Sequence, residues 1–265
     1  MTEIFQIIDG TKEFHGVKAI TKVNFSLLKG EIHSLLGENG AGKSTMTKVA
    51  AGVYQLSSGS FVFEGKETTF INPSEALNNG VVMVFQENSL VPNMTVSQNI
   101  YLGAESFFNS LAKLNIKASR FLQSLNFNVD PNLLVSQLGA AQKQMVEIAR
   151  AVHHNAKVII FDEPTATLTP EEKHHFFGLM QRLKKEGVSI VFISHALEEA
   201  LEHSDRITVL RDGELIETDK AKNFTRERIV KAMIGRDLTD SAYASKKTAR
   251  KKPRKRGKKT LEVEN

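Results

Sequence analysis

Apolar positions along the chain come in short runs bounded by Gly, Asn or Asp, and these runs alternate with stretches of helical spacing. That rhythm predicts an α/β core, a sheet covered by helices. The opening region differs: Ile4 to Ile8 and Ala19 to Leu28 alternate with period two, which predicts antiparallel strands, with Asp9-Gly10 and Lys29-Gly30 as turns. Glu31 to Leu36 reads as a strand running into a glycine-rich loop, with a helix from Lys43 to about Ala51 after it. Apolar runs at Val81 to Phe85, Val158 to Phe161 and Ser189 to Ile193 predict further buried strands.

From Met94 to about Asn128 the spacing is helical with no strand signal, which predicts an inserted helical subdomain separating two halves of the core. Beyond it, Met145, Ile148, Ala149 and Val152 share one face of a helix that starts near Gln142. Thr169-Pro170-Glu171-Glu172 joins a capping threonine, a first-turn proline and a glutamate three residues on, so another helix begins there. Ile207 to Leu210, the Asp212-Gly213 turn and Glu214 to Ile216 read as a late hairpin. No short internal repeat is present.

Charge changes the picture more than composition does. The 265 residues are 41% hydrophobic and 25% charged, ordinary values for a chain with a substantial core. Of 35 basic residues, ten lie between Lys246 and Lys259, a stretch with no acid. Without it, 25 basic residues face 30 acidic ones, a net of −5, so the basic balance belongs to a tail and the body is mildly acidic. A nucleic-acid-binding body surface is therefore not expected. The absence of cysteine excludes a disulfide framework, a thiolate metal site and a catalytic cysteine. Apolar runs a few residues long fall far short of the roughly 20 that span a bilayer. Met1-Thr2-Glu3-Ile4 lacks the basic start and apolar core of a secretory signal.

The chemistry concentrates at strand ends. Gly37-Glu38-Asn39-Gly40-Ala41-Gly42-Lys43-Ser44 matches a phosphate-binding loop, with the strand before it and the helix after it that this motif requires. Its glycines let backbone N–H groups curl round phosphates at a helix N-terminus, where the dipole favours negative charge. Lys43 is placed to reach the β- and γ-phosphates and Ser44 to bind Mg²⁺, with Thr45 beside them in the nucleotide-binding set. Val158-Ile159-Ile160-Phe161-Asp162-Glu163 is an apolar strand ending in two carboxylates, where open α/β sheets bind ligands. Asp162 would hold Mg²⁺ through its water shell, and Glu163 would orient or deprotonate an attacking water.

With these motifs in place the sequence resembles the ATP-binding domain of ABC transporters, from about Glu3 to Leu238. The resemblance implies a P-loop NTPase core with an antiparallel β subdomain and an inserted α-helical subdomain, and ATP with Mg²⁺ as its cofactors. By that likeness Gln86 matches the glutamine loop, contacting Mg²⁺ or the attacking water, and His195 matches the switch histidine that hydrogen-bonds the γ-phosphate. Phe14 stands where the family places an aromatic that stacks on adenine. Leu138-Gly139-Ala140-Ala141-Gln142 occupies the place of the family signature, commonly Leu-Ser-Gly-Gly-Gln, which closes over ATP held by an opposing domain. Gly139 removes the serine hydroxyl and Ala141 adds a methyl, so the composite site that borrows this signature is expected to be impaired. Thr169, where many relatives carry aspartate in a dimer-contact loop, is a further departure.

Gln144 to Arg150, Asp162 to Thr169 and Ser194 to Glu199 together look like the first ATPase domain of importers for simple sugars of the ribose and galactoside type, in which two such domains lie in tandem. The resemblance implies a second ATPase domain, transmembrane permease subunits and, indirectly, a sugar-binding protein as partners. It also implies a cytoplasmic location on the inner face of the cell membrane. The expected organisation is an ATPase domain over residues 1–240, with its helical insertion at about 87–140, and a basic linker over 241–260. Residues 261–265 read as the opening of a second domain. Fourteen extended residues span at most about 50 Å, enough to join neighbouring domains. Anionic lipid or nucleic acid are the other partners that such a basic run admits. Two rival readings remain beside sugar import: a soluble ABC-type ATPase acting on nucleic acid or the ribosome, and a regulatory domain that binds nucleotide but scarcely hydrolyses it.

Overall fold

The structure, a computed structural model, describes residues 2–85, 89–103 and 110–235. Strands β1 (Glu3–Phe14), β2 (Val17–Leu28), β4 (Ser58–Phe63) and β5 (Lys66–Thr68) form an antiparallel sheet in the order β2-β1-β4-β5. Strands β3 (Ile32–Leu36), β6 (Val81–Val84), β7 (Val158–Asp162), β8 (Ser189–Ile193), β9 (Arg206–Arg211) and β10 (Glu214–Lys220) form a second sheet, ordered β10-β9-β3-β8-β7-β6. In it β9, β3, β8, β7 and β6 are parallel and only the edge strand β10 is antiparallel. The helices are α1 (Lys43–Ala50), α2 (Pro73–Asn78), α3 (Val96–Tyr101), α4 (Leu111–Ser124), α5 (Ala140–His153), α6 (Pro170–Lys185), α7 (Leu197–His203) and α8 (Arg226–Ile234).

Strands β3, β7 and β8 are buried at every residue, which is why they read as unbroken apolar runs. Their side chains nonetheless alternate between two cores. Ile159, Phe161, Ile190 and Phe192 face the helices α5 and α6, while Val158, Ile160, Val191 and Ile193 face α1 and the antiparallel sheet. Sandwiched this way the three strands cannot slip, and their parallel direction brings all three C-terminal ends to one edge of the sheet. A buried polar chain holds β3 against β9: His33 Nε2 lies 2.7 Å from Thr208 Oγ1, and Glu31 contacts both His33 Nδ1 and Arg206 at 3.2 Å.

The α/β architecture, the antiparallel opening and the helical stretch after β6 match the sequence expectations, with α3 and α4 supplying the helices of that stretch. Asp9-Gly10 is not a turn. β1 runs straight through it as a bulge between the pairs Ile7–Phe25 and Gly10–Val23. Asp9 takes a left-handed φ of 49°, held by Asn24: the Asp9 N–H donates to Asn24 Oδ1 at 2.9 Å, and Asn24 Nδ2 donates to Asp9 Oδ1 at 3.0 Å. A Cβ at Gly10 would lie 2.2 Å from Ile7 Cγ2, so the close approach excludes any side chain there. The helix expected from Gln142 starts two residues earlier, at Ala140.

Candidate functional site

The loop from Gly37 to Gly42 leaves the end of β3 and turns into α1 through Gly42, whose φ of 99° suits only glycine. A Cβ there would meet Ile20 Cγ2 at 2.7 Å and the Ala19 carbonyl at 2.8 Å. No side chain caps α1, so its first N–H groups face the cleft without a side-chain acceptor. Lys43 is buried, and its Nζ donates to the Gly37 carbonyl at 2.8 Å and the Glu38 carbonyl at 3.0 Å. Burial lowers the Lys43 ammonium from its ordinary pKa, against the opposing pull of the Glu163 and Asp162 charges.

Asp162 ends β7 opposite Ile193 of β8 and is buried. Burial pushes its pKa up; a hydrogen bond from Ser44 pulls the other way, and the Glu163 charge adds to the rise. Its Oδ1 atom is buried without a hydrogen-bond partner among the described residues. A buried carboxylate oxygen left without a donor next to a serine hydroxyl fits a hard divalent cation or its water. Glu163 follows with a left-handed φ of 53°, its N–H bonded to the Ile193 carbonyl at 3.1 Å. The turn aims its carboxylate at His195, with Oε1 2.5 Å from Nε2. Strain of this kind, held by a buried strand on each side, is typical of functional turns.

Ala19, Asn39, Gly40, Ala41, Gly42, Lys43, Ser44, Thr45, Glu163 and His195 line one cleft of about 530 Å³. The structure thus brings together the loop, the carboxylate and the histidine from the ends of β3, β7 and β8, with Asp162 beneath them. Gly37 and Glu38 take part through their carbonyls. Phe14 does not line the cleft: its ring meets Tyr54 edge-on at 5.0 Å, with Lys12 Nζ 5.0 Å above it. Gln86 lies outside the described residues. Gly139, Ala140, Ala141 and Gln142 stand at the start of α5 and are not among the cleft residues either. Ala19, which lines the cleft, escaped sequence reasoning, as did the Thr165 and Ser194 hydroxyls beside Glu163 and His195, because nothing in local spacing links them to it.

The Gly139 backbone has an extended conformation open to any residue, φ −69° and ψ 167°, and a Cβ added there meets nothing within 4 Å. Gln142 Oε1 already reaches back to the Gly139 N–H at 3.2 Å, half of a capping box. Gly139→Ser should therefore fold normally and gain a few tenths of a kcal/mol from the N-cap hydroxyl. Thermal unfolding checks this; a lowered midpoint would show that the serine is not accommodated.

Residues 20–166 match the ABC transporter family. The chain is 42% identical over 240 residues to a putative ribose/galactose/methyl galactoside import ATP-binding protein of Halalkalibacterium halodurans, covering 89% of this chain and 46% of that protein. It is 45% identical over 233 residues to a galactose/methyl galactoside import ATP-binding protein of Clostridium perfringens, covering 87% and 45%. A xylose import ATP-binding protein of Thermoanaerobacter pseudethanolicus is 43% identical over 250 residues, covering 92% and 50%. The chain spans about half the length of these curated relatives. Among solved structures, an ATP-binding cassette of an ABC transporter in its ADP conformation superposes with a TM-score of 0.77 at 28% identity, over 89% of this chain and all of that one. A dimeric cassette in a post-hydrolysis state with ADP and phosphate gives 0.74 at 25% identity, over 83% of this chain and all of that one.

Proposed function

This chain belongs to the ABC transporter family, and on that premise we propose that it is a Mg²⁺-dependent ATPase unit that energises an importer of simple sugars. The observation that carries the reading is the meeting of the phosphate loop, Glu163 and His195 in a single cleft at the ends of three parallel strands, with Asp162 hydrogen-bonded to the loop's Ser44. Lys43 and the loop amides hold phosphate charge, and Ser44 with Asp162 would hold Mg²⁺, which supplies neutralisation of the developing charge. Glu163 accepts the proton of the attacking water or orients it, while His195, joined to Glu163 and open to the cleft, faces the terminal phosphate. Gln86 sensing of the bound state completes the assignment, and Phe14, outside the cleft with Tyr54 backing its ring, would meet the adenine where it extends beyond the phosphates.

The names of the relatives support ribose, galactosides or xylose as the class of cargo, with permease subunits as membrane partners. No helix among the described residues is long and apolar enough to cross a membrane. By the import role of its relatives the chain would act at the inner face through those subunits. A second cassette would close over the cleft, and the Gly139 to Gln142 signature would in turn close over that partner's nucleotide. We take the basic 241–260 segment as the connector to the second unit. The import names of these relatives favour transport over the rival role on nucleic acid. The bare Gly139 cap favours one refinement: the partner site that borrows it turns over slowly, and Gly139→Ser should speed it.

Calorimetry of the folded chain tests the reading at its root. MgATP should bind stoichiometrically and more tightly than ATP in excess EDTA; folded protein that takes up no adenine nucleotide would overturn the assignment.

A further inference from the structure

The geometry assigns Glu199 a positioning role: its carboxylate ties the turn after β7 to the turn after β8 and thereby fixes the contact between Glu163 and His195. The inference rests on the hydrolytic reading above and deepens it. Glu199 projects from α7 with its side chain 11% exposed. Its Oε2 accepts hydrogen bonds from Thr165 Oγ1 at 2.8 Å and Ser194 Oγ at 2.7 Å, and its Oε1 accepts one from Lys173 Nζ of α6 at 2.9 Å. Both hydroxyl residues are buried.

Their places in the chain give the arrangement its meaning. Thr165 stands two residues after Glu163, and Ser194 immediately precedes His195. Ser194 Oγ accepts the Ala196 N–H at 3.0 Å, so its one proton goes to Glu199, and the two residues flanking His195 are pinned by one hydroxyl. The register of β7 and β8 ends at Asp162 and Ile193, short of both functional side chains. Past that point the Glu163 N–H bonds to the Ile193 carbonyl and its carboxylate meets His195. The Glu199 carboxylate is a further link, and it reaches both turns at once. Burial would raise its pKa, yet the hydrogen bonds from Ser194, Lys173 and Thr165 outweigh that and hold it below the ordinary carboxylate value. It is therefore an anion at neutral pH, able to accept from all three donors. Without it two buried hydroxyls and an ammonium lose their acceptor, and the turns carrying Glu163 and His195 are held less firmly in register.

Glu199→Ala and Glu199→Gln in the full chain test this. A displacement near 1 Å costs about 100-fold in rate, so Glu199→Ala should lower kcat by roughly 10- to 100-fold. KM for MgATP should stay within about twofold, because the phosphate loop is untouched. Glu199→Gln keeps an oxygen for Thr165 and Ser194 and loses only the Lys173 bond, whose ammonium can turn to water from its partly exposed position, so it should recover most of kcat. The side-chain ¹⁵N signals of His195, identified by their loss in His195→Ala, should move in Glu199→Ala and return near their wild-type positions in Glu199→Gln. Should Glu199→Ala fail to fold, Thr165→Val combined with Ser194→Ala removes the same donors and should reproduce the fall in kcat. Unmoved His195 signals with unchanged kcat would overturn the inference, as would equal losses in the Ala and Gln variants. A wild-type chain without turnover even when a second cassette closes on it would sink the hydrolytic reading alone, since the His195 signals still report whether the clamp acts.

Discussion

Lys43→Ala is expected to weaken MgATP binding by two to three orders of magnitude while leaving the fold intact. The ammonium is buried where the loop carbonyls of Gly37 and Glu38 hold it, within reach of any phosphate lying on the α1 amides. Charge-assisted hydrogen bonds contribute about 1.5–3 kcal/mol each. Losing the cation also removes one of the positive charges that act on Asp162 and Glu163, Lys48 remaining beside Asp162. The triphosphate would then approach two carboxylates with one cation fewer, so the anion meets more like charge in the variant. Stability should change less, because only two hydrogen bonds to loop carbonyls are lost, and one of them, at Glu38, lies in an exposed residue. Calorimetry with MgATP, alongside circular dichroism, decides it; a dissociation constant within about threefold of wild type would mean that Lys43 does not grip phosphate.

The legible parts of this molecule are those whose physics is local. Ser189–Ile193 is a strand at the residues its apolar run marks, because a parallel strand covered on both faces needs no polar side chain. Thr169 caps α6 as its spacing requires, accepting from the Glu172 N–H at 3.3 Å while Glu172 returns a bond to the Thr169 N–H at 2.8 Å. Where tertiary partners decide, local pattern misleads. Asp9-Gly10 has turn residues, but Asn24, on the neighbouring strand, keeps it in β1. β4 carries Ser58, Gly59 and Ser60 and offers only Phe61, Val62 and Phe63 as a strand signal. It forms because Phe61 packs 5.6 Å from Phe5 and 5.5 Å from Phe70. The site divides the same way. Its loop, carboxylates and histidine stand at strand ends that the pattern marks. Glu199, within a short helix of mixed acidic residues, looks like part of a solvated face until Thr165 and Ser194 are seen to converge on it.

Glu163→Gln separates binding from chemistry, and it should move the two in opposite directions. The amide has the shape of the carboxylate and can keep a hydrogen bond to His195 Nε2, so the 2.5 Å contact has a neutral replacement. The left-handed φ of 53° at this position asks no more of glutamine than of glutamate. Removing the charge takes one anion away from the phosphate site, and it relieves the like-charge effect by which Glu163 raises the Asp162 pKa. Asp162 then stays ionised more readily beside Ser44, which favours the cation. MgATP should bind at least as tightly as in wild type. Turnover should fall by roughly 10²- to 10⁴-fold, the range that one general base contributes, because an amide cannot take a proton from water. If Glu163 served only to hold His195 in place, the glutamine would serve nearly as well and turnover would survive. Dissociation constants and single-turnover rates measured on the same preparation separate these outcomes: tight binding with lost turnover assigns Glu163 to the water, whereas turnover within about threefold of wild type removes it from the chemistry.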